Sequence, residues 1–239
     1  MKTVEINHKI IKIWEDYKED NKKTKLWPLL LPELEENSIL FISINPGFPK
    51  NDYWEKNLFK REDFLFSNKN LDKNKEIQRE KEARNPNNKN AYYKPYFKPM
   101  LEIMKFDLLQ SMKWEHLDLF FIRETNSKHV EKMVGYSEKI EKMNDFGEKQ
   151  LEISLSLIKK LKPKIIVVSN ALASRIIRKR VKIDESSFKE NGFDLLCLEN
   201  VKVPIFFSGM LSGQRALDLG SLRRLKWHIG KALQYVGGK

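Results

Sequence analysis

Two rhythms of apolar residues run through the chain. From Val4 to about Lys23, Ile6, Ile10, Ile13, Trp14 and Tyr17 recur at helical spacing with charges between them. This predicts an amphipathic helix packed on a sheet face. An apolar, proline-punctuated connector follows at Leu26–Pro32, and then the run Ile39–Ile44, which stops at Asn45-Pro46-Gly47. A continuous run of β-branched and large apolar residues ended by such breakers predicts a strand buried on both faces that feeds a sharp loop. After Pro49 the pattern decays. Tyr53, Trp54, Leu58 and Phe59 could make one short helix. Lys60 to Asn90 is mostly Lys, Asn, Glu and Arg, which predicts a polar insertion with at most a helix from about Lys75 to Arg84.

Folded signals then resume in the same style. Phe97, Leu101, Met104 and Leu108 carry a helix over roughly Tyr96 to Met112. Tyr96 and Phe97 read as core. Leu117–Ile122 predicts a second strand, ending in the polar quartet Arg123-Glu124-Thr125-Asn126. A long helix over Ser137–Leu161 stops at Pro163, and Lys164–Ser169 is the third strand. Asn170 caps the helix that runs into the basic Arg175–Arg180 group. Asp194–Leu198 and Val203–Phe207 are two further strands, with Pro204 placing the latter at a sheet edge. A last helix, capped by Asp218, is carried by Leu222, Leu225, Ile229 and Leu233. The alternation of strands and helices predicts one α/β domain over residues 1–239, with a mainly parallel sheet and helices on both faces. The Lys/Asn-rich segment at about 60–90 is an insertion in it.

Composition narrows the chemistry. Of 239 residues, 45 are Lys or Arg and 33 Asp or Glu, a net charge of +12, which favours a polyanionic partner through counterion release. Cys197 is the only cysteine, so no intrachain disulfide, four-cysteine cluster or cysteine-type zinc site can form. His8, His116, His129 and His228 show no ligand spacing. No 18-residue apolar run suggests a membrane helix, and no signal-type apolar stretch follows Met1, so a cytoplasmic protein is expected. Glycine-rich phosphate loops, dinucleotide fingerprints and the nucleophile elbow are absent from the sequence. In open α/β sheets ligands bind beyond the carboxyl ends of strands. That makes the residues after Ile44, Ile122 and Phe207 the candidate chemistry.

Ser43-Ile44-Asn45-Pro46-Gly47 resembles the first motif of the uracil-DNA glycosylase superfamily. It is closest to the Gly-Ile-Asn-Pro-Gly form of the mismatch-specific uracil/thymine branch and the Gly-Met-Asn-Pro-Gly form of the single-strand-selective branch. Near the other end, Leu211-Ser212-Gly213-Gln214-Arg215 is similar to the Asn-Pro-Ser-Gly motif of the same branches. The resemblance implies a three-layer α/β/α sandwich with a short, mainly parallel central sheet. It also implies excision of a base that has been flipped out of DNA into a pocket at the strand ends. Asn45 would hold the water that attacks C1′. Ser43, Ile44, Pro46, Gly47 and Phe48 would line the base pocket, with Arg123 or Asn126 reading the base. Ser208, Met210, Ser212, Gly213, Gln214 and Arg215 would form the loop that wedges into the vacated stack and grips phosphates. No metal or organic cofactor is implied, and the partner is DNA, single- or double-stranded, or RNA, bound by a monomer.

The chain departs from the family pattern at three points. Ser43 replaces the first Gly of the motif. Met210 stands where the second motif opens with His or Asn, and Leu211 replaces its Pro. Arg123 occupies the position of the base-reading Asn. Besides a glycosylase-like hydrolase, two readings therefore stay open: a non-catalytic nucleic-acid-binding protein of the same fold, and an enzyme acting on free nucleosides or nucleotides.

Overall fold

A computed structural model describes residues 3–21, 28–45, 77, 81, 94–124, 126–137, 142–199, 201–212 and 216–237. Apart from residues 77 and 81, the expected insertion at about 60–90 lies outside the described residues, as does the short helix expected at Tyr53–Phe59. The chain divides into two compact units, each assembled from separate stretches: residues 1–34, 44–92 and 118–156, and residues 35–43, 93–117 and 157–239.

In the first unit, α1 (Thr3–Asp20) buries Ile6, Ile10, Ile11 and Trp14. Ile6, Ile10 and Trp14 lie four apart, with Ile11 beside them, as a single apolar stripe requires. Trp14 meets Phe146 edge-on at 5.3 Å, and Tyr17 stacks on the same ring at 3.9 Å. Burial raises the Tyr17 phenol above its ordinary pKa. Asn7 is buried because its side chain acts as a piece of backbone. Its Nδ2 donates to the Leu31 carbonyl at 2.8 Å, and its Oδ1 accepts from the Leu31 N–H at 2.8 Å. The second strand was expected to reach Ile122, but β2 (Trp114–Asp118) stops at Asp118. Leu119–Ile122 is fully buried, yet much of its backbone bonds outside a strand ladder. Ser154 donates to the Leu119 carbonyl, the Phe121 N–H donates to Gln150, and Trp14 and the Leu29 N–H donate to the Phe121 carbonyl. Side chains thus satisfy groups that would otherwise be costly to bury. α3 (Ser127–Met133) follows. α4 (Asp145–Leu161) starts eight residues later than expected, because Asn144 caps it through the Gly147 N–H. Gly147 is needed there: a Cβ would lie 2.7 Å from the Val134 side chain and carbonyl.

The second unit is organised by a six-stranded mixed sheet. In chain order its strands are β1 (Ile39–Ser43), β2, β3 (Ile165–Val168), β4 (Ile183–Asp184), β5 (Asp194–Leu198) and β6 (Val201–Phe207). They lie in the order β2-β1-β3-β6-β5-β4. β1, β3 and β6 are parallel, with Ile42 beside Val168 and Val168 beside Phe207. β4 and β5 complete the sheet as antiparallel strands. Every residue of β1 and β3 is buried, which is why their sequences run apolar without alternation. α2 (Lys94–Met104) is shorter than expected and is followed by a 3-10 turn at Asp107–Leu109. α5 (Ala171–Arg180) is capped by the Asn170 side chain as expected, which accepts from the Leu172 and Ala173 N–H groups. α6 (Ser187–Asn191) and α7 (Leu219–Gly237) complete the helices. The Asp218 carboxylate accepts from the Ser221 N–H at 2.9 Å, the expected cap of α7.

Pro204 does not mark an edge. β6 lies between β3 and β5. The proline is accommodated because it faces Leu195 of β5, one residue ahead of the register with β3, which begins at Ile205. The α/β sandwich class expected from the sequence is the class observed: a mostly parallel mixed sheet with helices around it. Among the described residues no helix is long and apolar enough to cross a membrane.

Candidate functional site

The carboxyl-terminal edge of the parallel strands carries a row of serines. Ser43 ends β1, Ser169 follows β3 and Ser208 follows β6. The ladders run one residue past the strands: the Ser169 N–H donates to the Ile42 carbonyl at 2.8 Å and the Ser208 N–H to the Val168 carbonyl at 2.9 Å. The edge is therefore polar where an α/β sheet presents its ligand.

One of these serines belongs to a built cluster. Ser43 Oγ lies 3.1 Å from His116 Nε2. The Tyr96 hydroxyl donates to Ser43 Oγ at 2.9 Å and lies 3.0 Å from the same imidazole nitrogen. Ser43 and His116 are buried, and Tyr96 is partly exposed. Strand alternation explains the grouping. Trp114 and His116 stand on one face of β2, and Phe41 and Ser43 on one face of β1. Phe41 meets Trp114 edge-on at 6.1 Å. α2 contributes Tyr96 and Phe97, whose rings meet the imidazole at 5.4 and 5.3 Å, both edge-on. One proton arrangement uses each hydroxyl hydrogen once: Tyr96 donates to Ser43, and Ser43 donates to Nε2. The other has Nε2–H donating to these oxygens, so the imidazole donates or accepts within the cluster according to its tautomer.

The first unit holds the motif asparagine. Asn45 is half-buried, and its Nδ2 donates to the Ile122 carbonyl at 3.2 Å and closely to the Glu124 carbonyl. The amide nitrogen thus ties the residue after the strand run to the end of the segment 119–124. Ile44 is buried. Arg123 is only 2% exposed, so its guanidinium is an interior group. Glu124 is buried as well. Its carboxylate accepts from the Asn126 N–H at 2.9 Å and pairs with His129 Nδ1 at 2.9 Å. Asn126 is exposed, and its Oδ1 accepts from the Lys128 N–H at 3.0 Å as the cap of α3.

The second-motif loop is closed at its base. Met210 and Ala216 form a parallel bridge, and the Leu217 N–H donates to the Met210 carbonyl at 2.9 Å. Leu211 is buried, Ser212 is half-buried, and Met210 is exposed. Ser208 Oγ donates to the Gly209 carbonyl at 2.7 Å. Pro46, Gly47 and Phe48 of the first motif, and Gly213, Gln214 and Arg215 of the second, lie outside the described residues.

Two members of the cluster were not singled out by the sequence. Tyr96 read as core and His116 as a scattered histidine. The missed signal was the start of β2: Trp114-Glu115-His116 is too polar to extend the apolar run, although its alternation is that of a strand. Among the described residues no group of three or more His, Cys, Asp or Glu could hold a metal ion. No family model, no curated protein and no solved structure matches the chain.

Proposed function

We propose that this protein is a glycosylase-like hydrolase that cleaves the N-glycosidic bond of uracil or a related damaged base in DNA. The observation that carries the reading is the hydrogen-bonded Ser43–Tyr96–His116 cluster, built on the first residue of the Ser43–Gly47 motif at the end of β1. A hydroxyl, a phenol and an imidazole are donors and acceptors of the kind that reads the carbonyl and imide edge of a pyrimidine. In the reaction the C1′–N bond breaks, the base leaves with the electron pair, water oxygen bonds to C1′, and the proton that the water gives up balances the one that neutralises the base anion. The leaving anion calls for an O–H or N–H donor. Met210 has none, and Tyr96 and His116 supply the class of group that is missing there. Asn45 keeps the water-holding role by its place in the motif. The partner is DNA, bound by a monomer in the cytoplasm, and neither metal nor organic cofactor takes part.

A second reading has its own observation. The same bonds from Asn45 Nδ2 to the Ile122 and Glu124 carbonyls are those of a structural brace. With Met210 in place of a histidine, they suit a non-catalytic nucleic-acid-binding protein. Incubation with uracil-containing single-stranded and mismatched oligonucleotides, followed by alkaline cleavage, separates the two. Abasic product that is lost in Asn45→Ala supports the hydrolase. Salt-sensitive binding without base release supports the second reading.

A further inference from the structure

α7 differs in charge from the other long helices. From Leu219 to Gly237 it carries Arg223, Arg224, Lys226, His228 and Lys231 and no carboxylate. α1, of similar length, carries Glu5, Glu15, Asp16, Glu19 and Asp20. Ile229, Gly230 and Ala232 face the interior, and Gly230 lies so close to Phe106 that a Cβ there would be 2.5 Å from the ring. Leu219, Arg223, Trp227 and Lys231 recur every four residues, which places them on one helix face. All four are exposed, Trp227 at 53% and Leu219 at 74%. Lys231 Nζ lies 5.5 Å from the Trp227 ring centroid, within cation–π range. Arg224, beside the stripe, donates to Ser221 Oγ at 3.4 Å. Among the described residues no carboxylate forms a salt bridge with Arg223, Arg224 or Lys231. Lys226 turns aside, 5.8 Å from the Phe106 ring centroid.

We infer that this stripe of α7 is a docking surface for single-stranded DNA. Trp227 stacks on one unpaired base, and Arg223, Arg224 and Lys231 contact the flanking phosphates. An exposed indole between cations matches the two features of an unpaired strand, a bare base face and a phosphate on either side. A duplex offers only the second, because its base faces are stacked. A second copy of the chain docked by the same stripe would set cation against cation. None of its residues belongs to the Ser43–Tyr96–His116 cluster, and the choice of DNA rests on the proposed hydrolase.

The test is fluorescence anisotropy with a labelled oligothymidylate, its duplex, an RNA of matching sequence, and anionic phospholipid vesicles as controls. Trp227→Ala is expected to weaken single-strand binding about tenfold, a loss typical of one stacked base. Trp227→Phe should recover most of that loss. Arg223→Ala/Arg224→Ala should make the slope of log K against log salt shallower by about 1.4, the value for two phosphates on a single strand. Single-strand binding that is indifferent to Trp227→Ala overturns the inference. So does a preference for duplex or RNA, or Trp227-dependent binding to vesicles alone. If no base is released yet single strands bind through Trp227, the hydrolase falls and the docking surface stands. If base is released while binding ignores Trp227, the reverse holds.

Discussion

Replacing Asn45 separates its structural role from its proposed chemical one. Its Nδ2 donates to the carbonyls of Ile122 and Glu124. Each such bond contributes roughly 0.5–1.5 kcal/mol net, so Asn45→Ala should cost about 2 kcal/mol. For a chain of this size that is a fall in Tm of about 4–8 °C, read by calorimetry. Asn45→Asp is nearly isosteric but turns the donor into an oxygen facing two carbonyls. At pH 7 it should be less stable than Asn45→Ala. It should gain on the alanine variant as the pH falls and its carboxyl protonates, because the protonated group can again donate one hydrogen. A Tm for Asn45→Ala equal to the native value, or Asn45→Asp more stable than Asn45→Ala at pH 7, would refute the brace. The chemical role is read separately. At a temperature where the variant is folded, a glycosylase loses base release in Asn45→Ala, whatever its stability.

Other substitutions test the fold around the site. Asn7→Ala leaves the buried N–H and C=O of Leu31 without their side-chain partners. At about 1–3 kcal/mol for each orphaned group it should be among the most damaging polar changes, measurable by urea denaturation. Gly230→Ala gains about 1 kcal/mol of helix propensity but drives a methyl into Phe106. Overpacking of about 1–3 kcal/mol should win, and Tm should fall. Asp184 is held at a pKa of about 2, first by the Lys202 ammonium and then by the Ser186 hydroxyl. A depressed folded pKa gives stability that is present above the ordinary carboxyl value of 3.8 and lost as the pH falls through about 2. Lys202→Ala should move the Asp184 carboxyl titration, followed by carbon NMR, back toward 3.8. An unmoved titration would contradict the assignment.

The elements most legible in the sequence were those whose apolar pattern is set by burial alone. β3 and α5 fall within a residue of expectation, because Ile165–Val168 is buried on both faces and Asn170 caps through its own side chain. The errors share a cause: the chain satisfied backbone groups by means that an apolar pattern does not encode. Leu119–Ile122 has the composition of a strand, but Gln150, Ser154 and Trp14 take its backbone groups. Val203–Phe207 reads as an edge because of Pro204, yet the β3 register starts one residue later and leaves the proline room inside the sheet. The site was legible in half. Ser43 and Asn45 stand out because a strand ends in breakers there. Tyr96 and His116 do not, because each looks like ordinary packing until helix and strand are set side by side.

The proposed part of the β1-end cluster in base excision is open to a direct assay. Alkali-labile product is quantified from uracil-containing single-stranded and mismatched oligonucleotides incubated with the native protein, Asn45→Ala, Tyr96→Phe and His116→Ala, each confirmed folded by circular dichroism. Abasic product is expected with the native protein and none above background with Asn45→Ala. With His116→Ala the rate should fall by about 10²–10⁴-fold, the range for a lost general acid or base. No native product above the Asn45→Ala control, or an undiminished rate in His116→Ala, would contradict it.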